Sequence, residues 1–234
     1  MTGHLRDDGF MAGPTPRQLA REETLRRIKS LAWDQLAESG AGELSLRAIA
    51  RELNLVSSAI YRYYSSRDEL ITALIIDAYN ELADGLVEAG DGARRSAHRR
   101  WRDVCLALRG WAIAQPHRFS LIYGTAIPGY RAPQTTVQPA GRVVTAFCLP
   151  AVGATSGQPK VAARELSQQL SAVADALGVD IDNGDMLGLV GAFARMIGFI
   201  SLEVSGAFVG AFEPADSLYA AIVDRECEQL GLTR

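Results

Sequence analysis

The 234-residue sequence predicts an all-α protein, and three observations predict it. Apolar residues recur three and four positions apart through most of the chain, the spacing that puts them on one face of a helix. No segment alternates apolar and polar residues with a period of two, and no internal repeat is present. Helix-start signatures stand where the periodic runs begin: Thr15, Pro16 and Gln18 for one run, Ser66 and Glu69 for another.

Taken in order, residues 1–15 hold no apolar stretch long enough for a signal peptide and are expected to form a disordered arm. Thr15 caps a first helix over 16–39, with Leu25, Ile28, Ala32 and Leu36 on one stripe and Gly40 as its stop. Ser45 caps a short second helix that gathers Leu46, Ile49, Ala50 and Leu53 on one face. Asn54 follows, a residue that tolerates the left-handed backbone of a tight turn. A third short helix is expected over 57–64, and a long fourth one runs from Ser66 through Leu70, Leu74, Ala78 and Leu82 to the Gly90-Asp91-Gly92 joint. Beyond it, helices are expected at 95–114, 117–125, 134–148, 159–177, 184–208 and 214–230, with a small, polar and mobile stretch at 149–158. The organisation expected is an arm (1–15), a helical domain with its connecting helix (16–90) and a larger helical bundle (91–234).

Composition narrows the chemistry. Hydrophobic residues make up 48% of the chain, enough for a substantial core. The net charge of −3 is not the basic footprint usual for a nucleic-acid binder, so any such surface has to be local. Cys105, Cys148 and Cys227 lie far apart, and no Cys or His spacing suits a metal. An odd number of scattered cysteines fits a reducing cytoplasm, and no cofactor is expected. The apolar run from Met186 to Phe212 is interrupted by Arg195 and Glu203, each costing about 2.5–3.5 kcal/mol at a bilayer centre. A buried helix of a soluble protein is the more economical reading.

The segment Leu46–Tyr64 carries the function. Two short helices joined by a tight turn pack their apolar faces together, and the second then protrudes far enough to enter a DNA major groove. Ile49, Ala50, Leu53, Leu55, Ile60 and Tyr64 suit the shared core. Ser57, Ser58, Ala59, Tyr61, Arg62 and Tyr63 are the small, hydroxylated, aromatic or cationic types that approach bases and phosphates closely. Ser45, Arg47 and Arg67 stand near helix starts, where backbone N–H groups favour phosphate. Arg17, Arg21, Arg26, Arg27 and Lys29 against Glu22 and Glu23 leave a surplus of three positive charges, the local basic face. The plainer alternatives are that Tyr61 packs against the first helix and that Arg51 and Arg62 are ordinary solvated side chains.

The first helix, the run LSLRAIARELNLVSSAIYRYYSSRDELITALI and the long fourth helix resemble the DNA-binding domain of the tetracycline-repressor family over residues 17–80. Ile60 to Leu70 follows that family's pattern Leu-Tyr-x-His/Tyr-Phe-x-x-Lys-x-x-Leu. The resemblance implies phosphate contacts by Tyr61, Tyr63 and Arg67, and base contacts by Ser57, Ser58 and Arg62. Two departures stand out. Asn54 replaces a customary glycine, and Val56 occupies a place where a capping Ser or Thr is common, so either Ser57 caps or the helix starts one residue late.

Nothing after residue 90 pairs groups for catalysis: His98 and His117 have no partner at a triad or metal spacing, and the Arg94–Arg102 cluster reads as a solvated face. Gly110–Tyr130 resembles the ligand-binding half of some actinobacterial-type members of the family. That resemblance implies a pocket for an apolar or amphipathic effector, with Trp101, Trp111, Phe119, Tyr123, Tyr130, Phe147, Arg195 and Phe199 as candidate walls. The bland alternative is that these rings are plain core. Gly184, Gly188, Gly191 and Gly198 would let a second helix approach closely, and the resemblance implies a homodimer built from this segment and the last helix. Arg195 and Glu203 need partners if buried, either across that interface or in the pocket. The function expected is a regulator, a repressor of a palindromic operator on double-stranded DNA released by a small molecule. The alternatives are a regulator with no such effector, and an enzyme with a DNA-binding head.

Overall fold

The structure is a computed structural model that describes residues 15–233. It contains ten α-helices and no strand among the described residues. The helices are α1 (Pro16–Ser39), α2 (Leu46–Glu52), α3 (Ser57–Ile60), α4 (Arg67–Gly90), α5 (Ala97–Ala114), α6 (Pro116–Tyr123), α7 (Val137–Cys148), α8 (Arg164–Leu177), α9 (Asn183–Val204) and α10 (Asp216–Gln229). The chain divides after Arg67 into two compact units. The arm expected at the N-terminus falls, but for Thr15, outside the described residues.

In the first unit the start of α1 is closed by a reciprocal cap. The Gln18 amide donates to Thr15 Oγ1 at 3.3 Å, and the Thr15 amide donates to Gln18 Oε1 at 2.7 Å. Gly40 ends the helix with φ +77°, its amide donating to Leu36 O. Ile28, Ala32, Leu36, Ile49, Ala50 and Ile60 are fully or nearly fully buried, as their spacing predicts.

The second unit has one large core, centred on α5, which packs against α7, α9, α10 and the short turn Leu149–Ala151. Trp101, Leu108, Phe147, Ile200 and Tyr219 meet there, and a smaller cluster joins Leu170, Ala174, Val179 and Met186 between α8 and α9. Tyr219 donates its hydroxyl proton to Cys105 O at 2.8 Å, which satisfies a fully buried phenol.

Several boundaries differ from expectation: α7 starts at Val137 rather than 134 and α9 ends at Val204 rather than 208, and two further differences bear on the packing. α8 starts at Arg164 rather than 159, and the residues just before the expected start, Ser156 and Gln158, are engaged elsewhere. Ser156 donates its amide to Leu230 O at 3.0 Å, and Gln158 Nε2 donates to Gln229 O at 2.6 Å. The 149–158 stretch, expected to be mobile, therefore caps the carbonyls that α10 leaves unpaired at its end. Gly231 permits the approach: with φ +70°, a Cβ there would lie 2.4–2.5 Å from Ser156 atoms. α3 is the second difference. It closes at Ile60, and the chain continues as tight turns with the Tyr63 and Tyr64 amides both donating to Ile60 O.

Candidate nucleic-acid interface

α2 is fixed from both ends. Ser45 Oγ accepts the Ala48 amide at 3.3 Å, and the Ser45 amide donates to Gln35 Oε1 of α1 at 3.0 Å. The turn after α2 runs through Asn54 at φ +54°, the left-handed conformation expected of it, and the Leu55 amide returns to Ala50 O at 2.8 Å. α3 then starts at Ser57. Its N-cap is Val56, whose carbonyl accepts the Ala59 amide at 2.8 Å and whose side chain makes no cap. Neither reading of Val56 holds: Ser57 does not cap, and α3 starts at Ser57 rather than one residue late.

The faces of α3 separate cleanly. Ile60 and Tyr64 are buried, whereas Ser57, Ser58, Arg62 and Tyr61 are exposed, the last at 43%. Ala59 and Tyr63 are half-buried, and the Tyr63 ring lies beneath the guanidinium of Arg21 at 5.2 Å. Arg47 is exposed at the start of α2. Arg26 pairs with Glu23 at 2.6 Å, so part of the basic surplus on α1 is neutralised locally.

Arg67 is half-buried and reaches back to the turn after α1. Its Nη2 donates to Ala41 O at 2.5 Å and to Gly42 O at 3.1 Å, bracing the turn between α1 and α2. Sequence spacing did not show this, because the acceptors are backbone carbonyls 25 and 26 residues earlier.

In the second unit the candidate rings Trp101, Phe119, Phe147 and Phe199 are buried in the core. Trp101 meets Phe147 at 5.3 Å, Phe119 meets Tyr123 at 5.4 Å and Phe199 meets Tyr219 at 5.1 Å between ring centroids. Trp111 Nε1 donates to Glu81 at 3.1 Å, and the Tyr130 hydroxyl shares a hydrogen bond with Thr72 at 2.9 Å. Burial pushes the Tyr123 and Tyr219 hydroxyls well above the ordinary phenol range. Arg195 and Glu203 both find partners within the chain. Arg195 grips Glu226 with two bonds of 2.6 Å, and Glu203 takes two bonds from Arg109, at 2.8 and 2.7 Å. A groove of about 710 Å³ lies elsewhere, between α4, α7 and α8, walled by Val87, Val137, Leu149 and Leu177 with Gln134, Gln138, Arg142 and Thr145. None of the eight candidate pocket residues lines it.

The family described as "Bacterial regulatory proteins, tetR family" matches residues 28–74, and "Tetracyclin repressor-like, C-terminal domain" matches residues 101–225. The chain belongs to the tetracycline-repressor family of transcriptional regulators. It is 41% identical over 202 residues to the HTH-type transcriptional regulators Rv1816 of Mycobacterium tuberculosis and Mb1846 of Mycobacterium bovis, covering 82% of this chain and 85% of each relative. The crystal structure of SCO4313 superposes with a TM-score of 0.70 at 32% identity, over 92% of this chain and 98% of that one. A single-residue variant of TetR from Acinetobacter baumannii AYE, solved in complex with minocycline, shares the fold at a TM-score of 0.51 and 13% identity. That match covers 88% of this chain and 97% of that one.

As a tetracycline-repressor family member the protein is a DNA-binding helix-turn-helix regulator and not an enzyme. The family's helix-turn-helix match takes in α2, the Asn54 turn and α3. Sequence reasoning missed the brace at Arg67, the anchoring of Ser45 by Gln35 and the groove over α7. A long-range acceptor and a surface concavity leave no local pattern to find.

Proposed function

We propose that this regulator is a cytoplasmic homodimeric repressor that a small apolar or amphipathic effector releases from a palindromic operator. The groove between α4, α7 and α8 carries the effector part. Its volume of about 710 Å³ and its apolar walls with a few amide, hydroxyl and guanidinium groups suit a drug-sized amphipathic molecule. A variant of TetR from A. baumannii AYE, of the same fold, was solved in complex with minocycline, so the fold can hold a small molecule.

Support for the dimer comes from α9. An 18-residue stretch of it has a mean hydropathy of 1.7, yet only 28% of that stretch is buried within one chain. Leu187, Val190 and Leu202 lie exposed along it, with the small Gly191, Ala194 and Gly198 at helical spacing between them. A second copy covering this stripe, together with α10, removes that apolar surface from water. Two reading heads then meet successive major grooves about 34–36 Å apart, or a multiple of it. The effector releases DNA only if it binds the non-fitting dimer shape more tightly than the fitting one.

Thermal shift of the full chain against apolar and amphipathic compounds tests the effector. A stabilising compound should also displace the protein from its operator in a gel shift, and Leu177→Arg should abolish both effects. Stabilisation that leaves DNA affinity unchanged would leave a regulator with no small-molecule effector as the better account.

A further inference from the structure

Val56 is 72% exposed, more than any other large apolar side chain found exposed among the described residues. A lone exposed valine is ordinary on a protein surface. Its position is what sets Val56 apart. It is the N-cap of α3, where Ser, Thr, Asp or Asn would satisfy an orphan helix amide, and it makes no such bond. Its backbone is extended and its carbonyl is occupied by the Ala59 amide, so the branched side chain stands clear beside the exposed Ser57 and Ser58. In a helix-turn-helix docked on DNA, the first residues of the reading helix face the base edges. The major groove presents one apolar group there, the C5-methyl of thymine, and apolar side chains pack on it. We infer that Val56 is a specificity-determining residue that reads a thymine methyl in each operator half-site, an inference resting on DNA reading through α3.

The operator is first selected from random duplex DNA with the full-length protein. Each thymine is then replaced in turn by deoxyuridine, which removes the methyl and leaves the Watson–Crick edge intact. The wild type should weaken about fourfold per half-site at one thymine, the factor expected for one buried methyl. Val56→Ala and Val56→Ser should bind the thymine and uracil operators equally at that position, with unchanged melting temperature for the alanine variant. The inference is overturned if demethylation of no thymine weakens the wild type, or if both variants lose as much as the wild type at the same position. A selection that enriches no sequence would instead remove DNA reading itself, a failure separable from the first by the absence of any preference.

Discussion

Arg67 is tied to Ala41: its guanidinium donates to that residue's carbonyl at 2.5 Å and to the next carbonyl, Gly42, at 3.1 Å. A cation at the end of the helix-turn-helix thus holds the turn that precedes it. Arg67→Ala is expected to cost about 1.5–3 kcal/mol of stability, the range for hydrogen bonds to a charged group. Urea unfolding measures this. DNA affinity should fall with stability, whereas Arg67→Lys should recover part of both.

Arg47 and Arg62 are exposed and should behave in the opposite way. Arg47→Ala should leave the melting temperature unchanged, weaken binding to all sequences alike and reduce the salt slope of log K by about one. Arg62→Ala should cost about 1–3 kcal/mol and relax preference at one base pair. Fluorescence anisotropy across a salt series separates the two.

How much of this was legible in the sequence depends on the range of the interactions. The α1 cap, the Ser45 cap and the left-handed Asn54 turn are local, set within three or four residues, and each was readable. At Asn54, Asn54→Gly should be neutral or better, while Asn54→Val should lose about 1–2 kcal/mol to the left-handed backbone. The length of α3 was not readable, because Ile60 O takes two amides and tightens the chain where apolar periodicity still runs on to Tyr64. The partners of Arg195 and Glu203 were not readable either: Glu226 is 31 residues from Arg195, and Arg109 is 94 from Glu203, so only helix packing brings them together.

The Arg109–Glu203 pair yields a sharp prediction. Its side chains are 11% and 16% exposed, and Asp216 adds a third contact at 3.1 Å. Glu203→Ala leaves Arg109 with only the exposed Asp216 as an anionic partner and should cost about 3 kcal/mol, the low end for a buried pair because some solvent reaches it and Asp216 remains. The double variant Arg109→Met with Glu203→Leu should regain most of that. The hydrogen bond from Arg109 holds the Asp216 carboxyl below its ordinary range. With the folded-state value lowered, its contribution is present above about pH 4 and is lost as pH falls through the lowered value. Asp216→Asn should therefore flatten the acid limb of the stability profile.

The three cysteines should be silent. All are buried, and desolvation pushes Cys148 and Cys227 up to about 12 and Cys105 well above the ordinary thiol range. Iodoacetamide at pH 8 should label none of them in the native protein and all three after denaturation.

If α9 seals a dimer, Val190→Arg should turn a species of twice 25.2 kDa into one of 25.2 kDa in sedimentation, and lower operator affinity by about two orders of magnitude through lost bivalency.

The most direct measurement is selection of the full-length protein against random duplex DNA at physiological salt. The account predicts enrichment of an inverted repeat whose half-site centres lie one helical turn, or a multiple of it, apart, with the preference at one base pair of each half-site relaxed in Arg62→Ala. Recovery of no sequence above the starting pool, or of sites indifferent to Arg62, would contradict it.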